Sequence, residues 1–529
     1  MRSNIVFIIF LLFFSLDLFA QHTNIHLGNS YNLLHEKNFL TQDYHTSFKP
    51  LVKSVVNFKK DIFLESESNS WFNRKLFNEH LVIIDTQDYY FTASPIIHFE
   101  LGKEQSSGEK FKNTRGFLLE GSIGDRVSFQ TSFMENQASF PNYIDIYVRK
   151  NLVIPGQGYK RDFKSDAFDY AMASGYVSIK PAKSFIIQFG HGKHFIGDGY
   201  RSLLLSDISF NYPFLRVQTN IGKIQYTNLY TEFQDIRNPL SYETGFAKKY
   251  MSSHHLSYNI SKQFNISFYE SVIWRINHAP GNNGFDFNYL NPIIFFRPVE
   301  YSINSPDNVL MGLNAKYQVL EEAYVYSQFV LDEFSLTSMR EGKNWWGNKY
   351  GYQLGIKSYN TLKISDLTFQ AEYNIVRPYT YAHHNPSQNY AHYNQPLAHP
   401  LGANFDEKLI IIHYKYNRLV TRLQIMDAKY GSDIEGDSIS YGNDVYISTG
   451  DFEGASGRPG DYDIRMFQGE SNKLSFMQFN IGYIINPVTN LKFDLGYIYR
   501  NLKVNQDNFA THFYFAGLST DLFNRYYDF

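Results

Sequence analysis

The stretch from Tyr381 to Glu407, YAHHNPSQNYAHYNQPLAHPLGANFDE, places His383, His384, His392 and His399 within 17 positions. An imidazole can ligate zinc, move a proton or hydrogen-bond a sugar. A structural zinc site needs tightly spaced ligand pairs with supporting groups behind them. Here Pro378, Pro386, Pro396, Pro400 and Gly402 break the segment into a rigid, irregular loop instead. Tyr390, Tyr393 and Asn394 stand among the histidines, and rings mixed with amides offer stacking and hydrogen-bonding surfaces to a glycan. The roles rank as loop ordering first, glycan contact second and metal ligation third, so no metal site is assigned.

Two further groups carry charge in long connections. Arg297 and Glu300 flank Pro298 and form a candidate ion pair that pins a loop filling a pore. Lys193 and Arg201, in GHGKHFIGDGYRS, are candidate basic contacts that either order a second plug-like loop or meet an acidic glycan. That run lacks the first Gly and the Ser or Thr of a phosphate-binding loop. HEKNF at His35 lacks a second zinc-binding His, and GASG at Gly454 lacks a central nucleophilic Ser. Asp433, Glu435, Asp437, Asp444, Asp451, Glu453, Asp461 and Asp463 gather between Gly431 and Lys473, without the spacing of a calcium loop. They read as a solvated acidic surface. No catalytic residue and no cofactor is assigned; a membrane-embedded hydrolase would need a His beside a Ser or carboxylate at the rim of the fold.

The elements that position these residues show in the composition. The chain holds 47 Phe, 42 Tyr and 4 Trp, 18% aromatic, with no Cys and a net charge of -2. Absent cysteines exclude disulfides and thiolate chemistry, and the charge gives no nucleic-acid partner. Aromatic residues alternate with polar ones. From Leu367 to Ile375 the odd positions are Leu, Phe, Ala, Tyr and Ile, and the even ones Thr, Gln, Glu and Asn. A period of two is a strand signal, with one wet and one apolar face.

Eighteen such strands are predicted, from Ser94–Gly102 to Thr511–Leu522. Even-to-odd joins are tight, such as Gly124-Asp125, Gly222-Lys223 and Asn417-Arg418, whereas most odd-to-even joins are long. Short turns at one rim and long loops at the other predict an all-β transmembrane antiparallel barrel of the outer-membrane kind, with its long loops outside the cell. Lipid demands this closure, because every backbone amide must find a partner within the sheet. The ending FNRYYDF, with Tyr526, Tyr527 and Phe529, suits an interfacial aromatic girdle and a signal for the barrel-assembly machinery.

Ahead of the barrel, MRSNIVFIIFLLFFSLDLFAQ has the charge, apolar core and small residue of a secretory signal peptide over 1–20. Residues 21–93 are predicted as a periplasmic helical segment. In it Phe48, Leu51, Val52, Val55, Phe58 and Ile62 recur at helical spacing, and Asn69 or Ser70 caps a second helix through Trp71, Phe72 and Leu76. The barrel with its plug-like loops is assigned 94–529.

NPIIFFRPVEY (Asn291 to Tyr301), GHGKHFIGDGYRSLLLSD (Gly190 to Asp207) and HYNQPLAHPLGANFDE (His392 to Glu407) resemble the Wzi family of capsule-assembly outer-membrane proteins, in particular the RemB-like branch of gliding Bacteroidetes. The resemblance spans most of the chain and rests on loop motifs. It implies an eighteen-stranded barrel with an N-terminal helical part and loops occluding the pore. It further implies a non-enzymatic surface lectin that holds exported polysaccharide, with a link to surface motility, and it transfers no defined sugar-binding residues. The partners expected are outer-membrane lipid, a surface polysaccharide and the assembly machinery. A porin or substrate-specific channel is the alternative, because the lumen face is polar.

Overall fold

The computed structural model describes residues 22–40, 44–56, 70–237, 245–275, 286–293, 295–303, 307–436, 439–450 and 457–529. The expected signal peptide, together with Phe58, Ile62, Asn69, Asp437, Asp451, Glu453 and Gly454, lies outside the described residues.

Eighteen antiparallel strands form one closed wall. In chain order the first nine are β1 (Tyr89–Glu104), β2 (Gly108–Ile123), β3 (Val127–Ala138), β4 (Ala167–Ala182), β5 (Phe185–Gly192), β6 (Tyr212–Ile221), β7 (Ile224–Asp235), β8 (Ala247–Asn259) and β9 (Phe264–Arg275). The second nine are β10 (Asn308–Leu320), β11 (Ala323–Glu333), β12 (Lys349–Ser358), β13 (Leu367–Val376), β14 (Phe405–Tyr416), β15 (Leu419–Ser432), β16 (Glu470–Asn486), β17 (Leu491–Val504) and β18 (Asp507–Thr520). Each strand pairs with the next, and β18 closes on β1 from Phe513↔Glu104 to Ser519↔His98. Each of the predicted strands overlaps one of these. The expected barrel start, Ser94, falls inside β1 because Tyr89 to Ala93 already pair with β2.

The pleat explains the alternation. In β13, Thr368, Gln370, Glu372 and Asn374 are buried, whereas Leu367, Phe369, Tyr373 and Ile375 are half-exposed. The polar face therefore points inward and the apolar face outward, the reverse of a water-soluble sandwich. Leu101, Phe117, Val177, Phe189, Leu256, Phe268, Leu354 and Phe479 continue the exposed apolar belt around the wall. An even-stranded closed barrel with such a belt is the architecture of a multi-pass outer-membrane barrel. At the tight turns, Gly124 (φ +55°), Gly222 (φ +56°), Asn417 (φ +53°) and Asn490 (φ +52°) supply left-handed backbone that β-branched residues avoid. These turns define the inner rim, and the long connections the outer rim.

Pieces of the same chain fill the lumen. From the inner rim, His22 bonds the Asp125 carbonyl at 2.7 Å, and Asn24 N–H donates to the Tyr176 hydroxyl at 2.6 Å. Farther along, Ser47 meets Ser267 at 3.0 Å and His45 meets Ser257 at 2.8 Å. Phe48 and Lys49 pair as a two-residue strand with Ile196 and Phe195, in the connection from β5 to β6. That connection and the one from β13 to β14 enter from the outer rim. Leu203, Leu204 and Leu205 of the first join Tyr381, Tyr390 and Leu397 of the second in one apolar core.

Two expectations are corrected here. Phe48 to Val55 is not helical: Phe48 extends along the β5–β6 connection and Val52 bridges Asn24, so the apolar spacing serves packing inside the barrel. The helix that does form there is α1 (Asn29–Glu36), and α2 (Trp71–Phe77) follows as expected, against the turn between β16 and β17 through Asn486. The second correction concerns Tyr526, Tyr527 and Phe529, which do not stand in an outward girdle. β18 ends at Thr520, and residues 521–529 run back up the lumen, where the Phe529 ring lies 4.7 Å from that of Tyr147. Its carbonyl accepts from the inward-facing Arg500 at 2.8 Å.

Candidate functional site

Arg201 is the hub of the plug. Its guanidinium donates to Glu407 on β14 at 2.9 Å, to the Asp528 carboxylate at 3.2 Å and to the Asp528 carbonyl at 3.0 Å. It is 1% exposed. Burial alone would disfavour the cation, but Asp528 and Glu407 outweigh it and keep the guanidinium charged. The adjoining backbone is held as firmly: Tyr200 and Arg201 N–H groups donate to Glu372 at 2.8 and 3.1 Å. Position 199 is Gly because a β-carbon there would strike that Glu372 carboxylate. An ion pair this enclosed is a poor source of net stability, yet it fixes one register of three elements, since each charge has its partner only in this arrangement. Lys193, at the start of the same loop, donates to the carbonyls of Gly156 at 2.5 Å and Asp207 at 3.1 Å, and burial lowers its pKa to about 8.

The histidine segment divides by depth. His399 is fully buried, stacked on Phe405 with ring centres 4.2 Å apart, and bonds Glu407 at 3.0 Å. His392 accepts from Gln234 N–H at 3.0 Å, meets the Asn211 carbonyl at 3.2 Å, and is pushed by burial to a pKa of about 3. The Tyr390 hydroxyl meets that of Tyr269 at 2.8 Å. These three face the interior. Tyr393, half-buried, packs on Phe210 at 4.7 Å, and Asn394 donates to the Asn151 carbonyl at 2.9 Å. His383 and His384, also half-buried, stand with rings 4.0 Å apart near the outer surface. Among the described residues, no group of three or more His, Asp or Glu side chains is arranged to hold a metal ion.

Around that His pair lies a surface the sequence reading missed. Ser448 donates to the His384 carbonyl at 2.6 Å, and Arg458, bonded to the Thr449 carbonyl, lies 3.8 Å over the Trp346 ring. The connections β11–β12 and β15–β16 zip together here: Trp346 N–H donates to Asp461 at 2.9 Å, Asp463 N–H to Lys343 at 2.9 Å and Ile464 N–H to Asn344 at 3.1 Å. Tyr462 is 48% exposed, with the Lys343 ammonium 5.6 Å from its ring centre. The result is an outer face of Trp345 and Tyr462 beside Lys343, while the Arg458 guanidinium is buried over the Trp346 ring and paired with Asp461 at 2.5 Å. The adjacent Trp345-Trp346 pair was the available signal, since two large rings in a polar loop need a reason to be there. Of the acidic residues nearby, Asp433 accepts the Asp444 N–H at 2.9 Å and is spent on folding its own loop.

Arg297 and Glu300 do form an ion pair, 2.6 Å long, within one turn of the helix α3 (Phe296–Ile303). The helix does not fill the pore, however. Phe296 packs on His254, 4.1 Å between ring centres, and the Arg297 N–H donates to Glu270 at 3.2 Å. His254 and Glu270 share the outward face of the wall with Leu256 and Phe268, by register. Alternation over the preceding strands gave no means of telling an inward loop from one folded down the outside.

No protein-family model matches the sequence, and no curated protein matches it. Among solved structures the chain is similar to Wzi of Escherichia coli, described as a carbohydrate-binding outer-membrane β-barrel involved in group 1 capsule assembly. The two are 12% identical, with a TM-score of 0.54, over 95% of this chain and 100% of that one. It is also matched to the outer membrane protein OprD from Pseudomonas aeruginosa at 13% identity and a TM-score of 0.42, over 84% of this chain and 97% of that one. At 12% identity the likeness to Wzi is one of fold.

Proposed function

We propose that this protein is a plugged, non-enzymatic outer-membrane barrel that holds exported surface polysaccharide at the cell surface. The observation that carries the reading is the occupied lumen: Arg201, Glu407 and Asp528 lock an outer loop, a wall strand and the chain's last residues together. A barrel whose interior is spent on its own chain offers its outer face for binding. There Trp345 and Tyr462 supply stacking faces and Lys343 supplies charge for acidic sugars, with Trp346 held beneath Arg458 and with His383 and His384 beside them. Tyr393 and Asn394 contribute at the edge, while Tyr390, His392 and His399 order the loop from below. The ligand class accords with Wzi, the carbohydrate-binding barrel of similar fold. A part in gliding motility, through the RemB-like branch, belongs to the same proposal, as does insertion by the barrel-assembly machinery.

The test is binding of the purified protein to the polysaccharide shed by its own cells, together with gene deletion. Deletion should release polysaccharide into the medium; unchanged cell-bound polysaccharide and no binding would refute the reading. The alternative, a substrate-specific channel, draws support from a charged chamber of about 190 Å³ left between residues 521–529 and the wall, lined by His98, Glu100, Lys112, Arg422 and Lys492.

A further inference from the structure

Residues 286–293 and 295–303, in the connection from β9 to β10, lie on the outside of the barrel. Inward residues of β8 and β9 are set by contacts with the lumen segment, such as His255 and Ser267 with Ser47. The opposite face therefore points outward, and across the register it carries Asn228, His254, Glu270 and Met311 in one row. One step toward the inner rim, the same face shows Leu256 and Phe268, both more than a third exposed. His254 and Glu270, by contrast, are buried, because residues 286–293 and 295–303 lie over them.

How this segment spends its polar groups identifies its surroundings. Irregular backbone in hydrocarbon must find partners on protein. The carbonyls of Tyr289, Leu290 and Pro292 each accept from a hydroxyl of the wall: Ser252 at 2.7 Å, Tyr230 at 3.1 Å and Tyr226 at 2.6 Å. Tyr226 sits near the start of β7, close to the inner rim, so the segment descends most of the wall's height. Glu270 receives the Arg297 N–H at 3.2 Å at the start of α3, which gives a carboxylate on the outward face its partner. Arg297 is neutralised within the segment by Glu300. Among the side chains turned away from the wall, Phe287 is 79%, Ile293 81% and Phe295 63% exposed, with Asn288, Asn291, Arg297 and Ser302 exposed beside them.

We propose that residues 286–293 and 295–303 form a membrane-seated flap, latched to the wall by Glu270, whose Phe287, Ile293 and Phe295 insert among the acyl chains of the surrounding lipid. The carbonyls of Tyr289, Leu290 and Pro292 face the wall, and Phe287, Ile293 and Phe295 face out.

The chain has no cysteine, so Ile293→Cys gives a unique position for an environment-sensitive fluorophore in reconstituted bilayers, with Tyr462→Cys as the outer-rim control. The flap predicts blue-shifted emission, quenching by nitroxides on the acyl chains and protection from aqueous iodide at 293, and the reverse at 462. Iodide quenching at 293 equal to that at 462 overturns it. So does protection from both quenchers, which would mean a protein surface, a second copy included. In Glu270→Leu the latch is lost but the wall gains an apolar outward residue. Iodide access at 293 should rise while the barrel unfolds at no lower temperature; unchanged access overturns the latch.

Discussion

Arg201, in a loop that enters from the outer rim, and Asp528, next to the last residue of the sequence, form a 3.2 Å ion pair inside the barrel across 327 positions of chain. Removing one partner leaves Asp528 or Glu407 buried beside nothing of opposite sign. Arg201→Ala is expected to destabilise the plug by about 3–5 kcal/mol. Heat-induced unfolding in detergent should therefore begin at a lower temperature, whereas a change within error would show the pair to be dispensable.

Gly199 tests the same seat from the backbone side. Gly199→Ala drives a β-carbon into the Glu372 carboxylate, with a cost of about 1–3 kcal/mol by overpacking. Proteolytic nicking between 193 and 211 in the folded protein is the readout, and it should accelerate. Equal rates would mean that the loop accommodates the methyl.

The outer loop should loosen in acid. His383 and His392 are each held near a pKa of about 3 by burial, below the ordinary 6.5 or so of an unfolded chain. A histidine depressed in the folded state contributes its stability in full above about pH 6.5 and loses it as the pH falls toward the folded value. Below about pH 6 each one should cost about 1.4 kcal/mol per pH unit. His392→Asn should make the acid branch of the stability profile shallower by one proton, and an identical slope would contradict the assignment.

Trp345 and Tyr462 carry the binding proposal. Replacing either with Ala should weaken polysaccharide binding by more than about 1 kcal/mol, about fivefold, with the melting profile unchanged. Equal loss from His399→Phe, a fully buried site, would instead mean that binding depends on loop packing and not on the outer rings.

The wall was legible in the sequence because its signal is local. Period two in Leu367 to Ile375, repeated eighteen times with tight joins at Gly124, Gly222 and Asn417, needs no knowledge of distant contacts. The plug was legible only as long connections containing Arg201 and His399, because their partners, Glu407 and Asp528, are chosen by three-dimensional closure. Phe529 misled for a related reason: an aromatic ending serves an outward girdle or an inward core equally well, and only the end of β18 at Thr520 decides. Phe48 to Val55 had helical spacing, but inside a barrel the neighbours on both sides are protein, so apolar residues at any spacing find contacts. NPIIFFRPVEY reads as a buried plug until the register places Glu270 and His254 on the outward face. The Trp345-Trp346 surface has no spacing signal, because two adjacent rings in a polar loop match no motif, whereas the histidines stand out by type although His392 and His399 are buried.

Whether the barrel is a scaffold or a passage is decided by single-channel current in planar lipid bilayers. The parent protein is expected to insert without steady conductance, and the chain lacking 521–529 and carrying Arg201→Ala to show discrete open steps. A steady open current from the parent protein would contradict the plugged scaffold.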